Sequence, residues 1–354
     1  MPKTVNNLAA KIYDFDNIYE AFVEVSHKKQ YKVAFQKYCL IIEEELITIQ
    51  NELIWRTYRP SSTVSFFVRE PKQRFITRPD LRDRIVHHAL IRVVLPYFER
   101  HFNRASFACR KGRGQLSACM EWQRMIRSAL GRYGTDFVVV SIDIKSYFAS
   151  IDHAAIKYLL RRLFSDDLVL WLFDSIIDSV SDGLPIGFLP SQHEANLIGT
   201  VIDYFVTDLL GLPLYIRYMD DMRIICKDRQ EAKEILAAID GLCTGKLILT
   251  LSPKKTVIKP WRGKDTFCGY IVSPHHFEPK RATVERSENR LKKKLYLYKT
   301  TDLVSLQQMR DTTTSFIAYL SHTATPYNPI ADFCARVTYL DKQKQESNGT
   351  VCSS

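Results

Sequence analysis

Paired cysteines, long apolar runs and an acidic excess are all missing from this sequence of 354 residues. The eight cysteines stand singly, at positions 39, 109, 119, 226, 243, 268, 334 and 352. Because no C-x-x-C pair occurs, neither a zinc site nor a redox motif is indicated, and scattered cysteines are typical of a reducing cytoplasm. No apolar run approaches the roughly 18 residues of a membrane-spanning helix, and the N-terminal stretch lacks the apolar core of a signal peptide. We therefore expect a soluble, cytoplasmic protein.

The charge balance is basic. Fifty Lys and Arg residues against 39 Asp and Glu give a formal net charge of +11 and a pI near 9.2. A basic excess on a globular chain points first to a nucleic-acid partner and second to an anionic membrane surface. Hydrophobic residues make up 46% of the chain, which is enough to bury one or two sizeable cores.

Hydrophobic periodicity predicts an α+β body followed by a separate C-terminal helical unit. Helices are expected over about 7–58, 80–102, 115–130, 153–180, 193–211, 230–242 and 280–340, with Asp80 as an N-cap. Strands are expected as hairpins over about 62–78 and 214–228, and singly over 136–144, 246–251, 255–259 and 267–273. The apolar stretch GLPIGFLPSQ at 183–192 is interpreted as a rigid loop, and the polar tail 343–354 as a frayed end.

Carboxylates close two strongly apolar strands. The first strand, DFVVVSIDI, carries Asp143 near its end, and the hairpin containing RYMDD places Asp220 and Asp221 at its tip. A carboxylate at the end of a buried strand is costly unless it is paired or bound to a metal. Carboxylates that converge from separate strands form a hard-oxygen site suited to Mg²⁺, and two such ions about 3.5–4 Å apart serve phosphoryl transfer. In a basic protein this arrangement favours nucleotidyl transfer.

Further motifs extend this pattern into a family resemblance. RYMDDM at 217–222 resembles the central motif of reverse transcriptases, and SIDIKSYFASIDH at 141–153 resembles their first catalytic motif. The other similar segments, in the family's order along the chain, are PKQRFITRPDLRDRIVHHAL (71–90), SFACRKGRGQLSA (106–118), GLPIGFLPSQ (183–192), LTLSPKKTVI (249–258) and FCGYIVSP (267–274). About residues 62–275 thus resemble bacterial reverse transcriptases of the retron, group II intron and diversity-generating classes.

The resemblance implies an α+β right-hand polymerase fold. Its fingers would comprise 1–95 with 151–188, its palm 96–150 with 189–278, and its helical thumb and polar tail 279–354. The implied reaction is RNA-directed addition of dNTPs to a primer 3′-OH by a two-metal mechanism, with Mg²⁺ or with Mn²⁺ as a substitute. The implied partners are template RNA, the primer or cDNA, dNTPs and a small accessory protein, with no membrane, in a bacterial or phage-encoded system.

The resemblance also implies roles for individual residues. The metal ions are implied to bind Asp143, Asp220, Asp221 and the backbone carbonyl of Ile144. Lys255 is the further catalytic candidate, placed near the leaving pyrophosphate. The dNTP is implied to contact Lys72, Arg74, Phe148, Ile186, Gly187 and Tyr218, with Phe148 excluding a 2′-hydroxyl. Primer and template are implied to contact Arg110, Lys111, Arg113, Ser191, Gln192, Met219, Phe267, Cys268, Gly269 and Tyr270, with the basic helix 286–299 along the duplex.

The loop at 183–192 indicates which class of reverse transcriptase the sequence resembles most. Retron and group II enzymes usually carry Gln where Ile186 stands, whereas the PIG…SQ pattern is similar to diversity-generating retroelement enzymes, which copy a template RNA with frequent errors at adenine. Because Ile186 cannot form the hydrogen bonds of Gln, we hypothesise that it lowers fidelity. A defence-associated or retron-type bacterial reverse transcriptase is the alternative. An RNA polymerase would not need the bulky Phe148, and a nuclease or a simple binding module would not need the other motifs.

Overall fold

The structure is a computed structural model that describes residues 4–27, 33–68, 73–301 and 303–324. These residues fall into two compact units, one within Met1–Gly114 and Asp136–Pro260 and the other within Gln115–Thr135 and Trp261–Ser354. The division into fingers, palm and thumb stays a prediction. Of the helices in the described part of the chain, none combines the length and apolarity needed to cross a bilayer.

The first unit begins with a series of short helices. They are α1 (Ala9–Ile12), α2 (Phe15–Ser26), α3 (Val33–Cys39) and α4 (Ile42–Ile54). The side chain of Asp14 accepts a hydrogen bond from the backbone N–H of Asp16 and so caps the start of α2. The helical prediction for this region is confirmed, although the chain interrupts the helix several times.

A hairpin and a long helix follow, as predicted. Strands β1 (Val64–Val68) and β2 (Arg74–Arg78) pair antiparallel. Helix α5 (Leu81–His101) begins at the predicted cap, where the Asp80 side chain accepts from the N–H of Leu81 at 2.7 Å. Residues 69–72, between the two strands of this predicted hairpin, lie outside the described residues, and the predicted dNTP contact Lys72 is among them.

A four-stranded antiparallel sheet forms the centre of the first unit. Its strands are β3 (Val138–Asp143), β4 (Tyr215–Tyr218), β5 (Asp221–Cys226) and β6 (Val257–Pro260), in the order β4-β5-β3-β6. The helices in and around it are α7 (Tyr147–Ser150), α8 (His153–Leu163), α9 (Asp167–Ile177), α10 (Leu189–Tyr204), a π-helical turn (Phe205–Leu209) and α11 (Arg229–Lys246). Helices α10 and α11 contribute Leu197, Ile198 and Ile239 to the same buried core as the strand residues Ile142 and Met222.

Two predictions for this unit need correction. Helix α10 begins at Leu189, inside the stretch predicted as a loop, because Pro190 fits the first helical turn. The strand predicted at 246–251 is wrong, because α11 runs to Lys246 and Leu251 forms only an isolated bridge with Ile144. The alternating burial of Leu247, Leu249 and Leu251 is real, but alternation reports which side chains are buried and not whether a strand pairs alongside.

The second unit combines a small sheet with three helices. Its elements are α6 (Gln115–Tyr133), β7 (Asp265–Phe267), β8 (Tyr270–Val272), β9 (Phe277–Pro279), α12 (Arg281–Thr300) and α13 (Leu306–Leu320). The single strand predicted at 267–273 is confirmed over β8 only. The chain turns back at Cys268 and Gly269, whose φ angles are 46° and 87°, so Phe267 belongs to β7 instead. The predicted helix beyond residue 324 and the tail lie outside the described residues.

A buried acid in the first core has a consequence for stability. Glu194 on α10 is 1% exposed, and its Oε1 has no hydrogen-bond partner among the described residues. Burial raises the pKa of Glu194 from 4.5 to about 8, so the folded protein holds this proton at neutral pH. The unfolded chain releases it near pH 4.5, and the stability due to the bound proton is therefore lost as pH rises from about 4.5 to about 8.

We expect the wild type to lose about 1.4 kcal/mol of stability per pH unit relative to Glu194→Gln across this window. Urea unfolding at several pH values between about 5 and 8 measures the difference. Glu234→Gln, at an exposed position of α11, is the matched control and should show no such trend. A wild-type to Glu194→Gln difference that is constant with pH would contradict the prediction.

Candidate active site

The two acid-bearing strands meet in the central sheet. In the pairing of β3 with β5, Asp143 lies directly opposite Asp221, and Asp220 lies in the turn that joins β4 to β5. Opposite residues of an antiparallel pair project from the same face of the sheet. The pKa of Asp220 is raised by burial and then by the charge of Asp143. The pKa of Asp221 is raised by burial and, less strongly, by Asp220 and Asp143, against the lowering effect of Arg223.

Basic side chains already contact two of these carboxylates. Lys255 donates from Nζ to Oδ2 of Asp143 at 2.5 Å, and Arg223 donates to Asp221. The position of Lys255 follows from backbone pairing, because Ser252 N donates to the carbonyl of Asp143 at 2.7 Å. Lys255 thus binds a predicted metal ligand directly, and its proposed place near the pyrophosphate stays a prediction.

The donor set fits Mg²⁺ in its chemistry. Three carboxylates supply hard oxygen ligands. Burial, and then the neighbouring carboxylate charges, raise the pKa of Asp220 and of Asp221, and a bound divalent cation would relieve this cost of ionisation. The carbonyl of Ile144 is not used in pairing with Leu251, because the flanking bonds join Lys145 N to Thr250 O and Ser252 N to Asp143 O. Within the described ranges, no group of three or more His, Cys, Asp or Glu side chains is arranged to hold an ion.

The stretch 183–192 is hydrogen-bonded to two segments that carry predicted dNTP contacts, strand β2 with Arg74 and the segment around Phe148. The carbonyl of Ile186 accepts a hydrogen bond from Thr77 N in β2 at 2.9 Å, and Leu184 N donates to the carbonyl of Phe148 at 2.7 Å. Gly187 has a φ of 126°, and a Cβ there would lie 2.4 Å from the carbonyl oxygen of Thr77. Glycine is required because the two backbones approach so closely.

The other predicted nucleotide contacts lie nearby. Arg74 is exposed on β2, and its charge lowers the pKa of Asp220, though less than the charge of Lys255 does. Tyr218 is half-buried opposite Asp221. Phe148 is half-buried with its ring edge-on to Tyr147, 6.0 Å between centroids.

The predicted primer and template contacts of the first unit differ in how exposed their side chains are. Arg110 donates from Nε to Glu99 at 2.8 Å and from Nη1 to the carbonyls of Asn103 and Ser106, so its guanidinium stabilises its own loop. Ser191 is buried at 1% exposure in α10, which removes its hydroxyl from solvent. The remaining members are Lys111 and Gln192, which are exposed, Met219, which is half-buried, and Arg113, which stacks on Phe107.

In the second unit, the predicted primer contacts form the β7–β8 hairpin. The side chains of Phe267 and Tyr270 are buried, Cys268 is half-buried and Gly269 is exposed at the turn. The hydroxyl of Tyr319 donates to the carbonyl of Gly269 at 2.9 Å. Of these four residues, Gly269 is therefore the one exposed at the surface.

The sequence analysis did not predict the role of one residue of the β4–β5 hairpin. Arg217, the first residue of RYMDDM, is 0% exposed and binds both carboxylate oxygens of Asp203, each at 2.7 Å. A signal was available, because Arg217 is a lone cation in the apolar strand YIRY and Asp203 a lone acid in the apolar helix segment NLIGTVIDY. Buried charges of opposite sign are kept in pairs.

Comparison with known proteins identifies the family. Residues 68–272, more than half of the chain, match the family described as "Reverse transcriptase (RNA-dependent DNA polymerase)". The chain belongs to the reverse transcriptase family. Protein YkfC from Escherichia coli (strain K12) is 24% identical to this reverse transcriptase over 268 residues, which cover 60% of the chain and 67% of YkfC.

Comparison with solved structures finds similarity to telomerases. Apo telomerase from Candida tropicalis matches with a TM-score of 0.52 and 13% identity, covering 78% of this chain and 63% of that one. Telomerase from Candida albicans, in complex with a TWJ fragment of telomeric RNA, matches with a TM-score of 0.48 and 12% identity, covering 73% of this chain and 54% of that one. This reverse transcriptase therefore spans less than two thirds of either telomerase chain. The first match agrees with the predicted α+β polymerase fold.

Proposed function

We propose that this protein copies RNA into DNA by adding deoxynucleotides to a primer 3′-OH. The observation that carries the proposal is the pairing of Asp143 with Asp221 beside Asp220, in a member of the reverse transcriptase family. Its partners are template RNA, a primer or cDNA, and dNTPs, and its cofactor is Mg²⁺. The net charge of +11 suits a polyanionic substrate.

Each residue of the candidate site has its own role in the proposed mechanism. When bound, two Mg²⁺ ions would activate the primer hydroxyl and offset charge on the leaving pyrophosphate. Asp143 and Asp220 would hold them most directly, with Asp221 assisting. Lys255 is half-exposed and, once released from Asp143, can reach toward the pyrophosphate. There it would donate a proton or neutralise negative charge. Phe148 would lie beneath the sugar, and Arg74 would contact the triphosphate.

Single-nucleotide incorporation tests the proposal. A primer annealed to an RNA or a DNA template is extended with dNTPs or rNTPs, and each base is scored separately. We expect extension on the RNA template with dNTPs. Preferred use of rNTPs would favour an RNA polymerase, and primer or template cleavage without extension would favour a nuclease; either result overturns the proposal.

We further propose an error-prone enzyme of a diversity-generating retroelement that works with a small accessory protein. The supporting feature is Ile186, an apolar side chain in a loop held by hydrogen bonds to Thr77 and Phe148. Sites that hydrogen-bond a substrate discriminate better than apolar sites of similar shape. The alternative is a defence-associated or retron-type enzyme. A template and variable repeat pair beside the gene supports the first reading, and its absence favours the alternative.

Ile186→Gln tests the link between this loop and fidelity. We expect misincorporation opposite template adenine to fall about tenfold, because the amide can hydrogen-bond the nucleotide or its neighbours. Sequencing of cDNA made on a defined RNA template measures the error rate. Ile186→Leu keeps the side chain apolar and should leave the rate unchanged. Equal error rates in wild type and Ile186→Gln would disprove the role of Ile186.

A further inference from the structure

The buried Arg217–Asp203 pair lies behind the catalytic aspartates. On β5, Met222 is the cross-strand partner of Arg217, whereas Asp221 pairs with Asp143 and with Tyr218. Because side chains alternate along a strand, Arg217 projects from the sheet face opposite to the one that carries Asp143 and Asp221. Arg217 therefore has no access to a substrate on the catalytic face and acts from within the core.

Every N–H of the Arg217 guanidinium has an acceptor. Nε and Nη2 donate to the two carboxylate oxygens of Asp203, each at 2.7 Å. Nη2 also donates to Ser106 Oγ at 3.1 Å, and Nη1 donates to Asn196 Oδ1 at 3.2 Å and to the carbonyl of Met219 at 3.0 Å. Arginine has five N–H donors, and this network satisfies them all.

The contact with Met219 reaches the turn that carries Asp220. Met219 is the first of the turn's two residues and has a φ of 58°. Hairpin turns with a positive φ at this position favour glycine, because other side chains are strained there. The hydrogen bond from Arg217 to the carbonyl of Met219 restrains this peptide from the sheet face opposite to the one that carries Asp143 and Asp221.

The surrounding helix is shaped to admit the guanidinium. A Cβ at Gly199 on α10 would lie 2.3 Å from Nη1 of Arg217. Tyr215 is also part of this network, but its hydroxyl donates only to Oδ1 of Asp203, at 2.7 Å, and makes no bond to the turn. The space that helix α10 leaves at Gly199 thus fixes the position from which Arg217 reaches the turn.

We propose that Arg217 is a positioning residue, whose guanidinium ties the Asp220 turn to Asp203 in the core and so sets the geometry of the catalytic carboxylates. Its effect on DNA synthesis rests on the proposed function, but its effect on the turn does not. Lysine keeps the charge beside Asp203 but, as a compact ammonium, it cannot also bond the Met219 carbonyl in a fixed fork.

Arg217→Lys tests the proposal, with Tyr215→Phe as the matched control in the same network. Tyr215→Phe removes a buried hydrogen bond to Asp203 and leaves the contact from Arg217 to Met219. Methyl NMR of isotope-labelled methionine reports on the turn, since the chain has six Met residues and one of them is Met219. Mn²⁺ binding and single-nucleotide incorporation are measured on the same samples.

In Arg217→Lys we expect a shifted or broadened Met219 signal and weaker Mn²⁺ binding. We expect a fall in incorporation rate of about 10- to 100-fold, with the KM for dNTP little changed. Tyr215→Phe should lose thermal stability but keep the wild-type Met219 signal and rate. A wild-type Met219 signal and Mn²⁺ affinity in folded Arg217→Lys would overturn the proposal, as would the same Met219 change in Tyr215→Phe.

Gly199→Ala provides a second route if Arg217→Lys does not fold. It leaves the arginine in place and displaces its guanidinium, so the Met219 signal should again shift, and an unchanged signal would overturn the proposal. Failure of the proposed function is recognised separately. In that case wild-type protein makes no DNA, while the Met219 comparison still decides whether Arg217 positions the turn.

Discussion

Asp220→Asn is expected to lower DNA synthesis about a thousand-fold, because several kcal/mol of transition-state charge stabilisation depend on carboxylate ligands for the metal ions. The folded protein should be at least as stable as the wild type. Burial and the charge of Asp143 both disfavour the ionised form of Asp220, and a neutral amide removes that cost. Primer extension measures the first effect and thermal unfolding the second.

The control for this experiment is Asp240→Asn, which changes the same charge at an exposed position of α11 and should leave synthesis intact. Template–primer affinity should survive in both variants, because binding depends on basic side chains rather than on these carboxylates. DNA synthesis that persists in Asp220→Asn would refute the proposed catalytic centre. Loss of both folding and synthesis would contradict the stability argument.

Phe148→Ala is expected to reduce discrimination against rNTPs on the order of 100-fold, because a steric block is the only feature proposed to exclude the 2′-hydroxyl. The fold around it should tolerate the change. Phe148 is only half-buried, and the hydrogen bond from Leu184 uses its backbone carbonyl, which alanine retains. The ratio of kcat/KM for dNTP and rNTP on one RNA template measures the effect.

Phe148→Tyr retains an aromatic ring and serves as the matched control, so its discrimination should stay near that of the wild type. If Phe148→Ala discriminates as well as Phe148→Tyr, the ring is not the gate. If both variants lose synthesis of DNA altogether, Phe148 supports the site in some way other than sugar selection.

Local sequence patterns predicted two parts of the central four-stranded sheet. Alternation around Met219 predicted the β4–β5 hairpin, and the β-branched run before Asp143 predicted β3. Both signals depend on burial of neighbouring side chains within one strand, which the sequence records directly. The same rule failed at Leu247–Leu251, where side chains alternate in burial without a paired strand.

The contacts of individual charged residues were harder to predict from the sequence than the strands, because they depend on the tertiary structure. Arg110, predicted to contact nucleic acid, is held by Glu99 and backbone carbonyls. Lys255, predicted beside the pyrophosphate, contacts Asp143. A basic residue in a motif indicates a need for positive charge, but which anion receives that charge depends on the groups within reach of its side chain.

The family resemblance, the α+β class and the residues of the β4–β5 hairpin were all predicted from the sequence alone, because these depend on motif order and on local periodicity. The tertiary structure alone decided which distant groups meet: Lys255 with Asp143, Arg217 with Asp203, and the carbonyl of Ile186 with Thr77. Such pairings depend on how helices and strands pack and on which polar groups are left buried without water. Packing of that kind leaves no periodic pattern along the chain. The stretch GLPIGFLPSQ is an example, because its glycines and prolines predicted a rigid loop but not its backbone hydrogen bonds to Thr77 and Phe148.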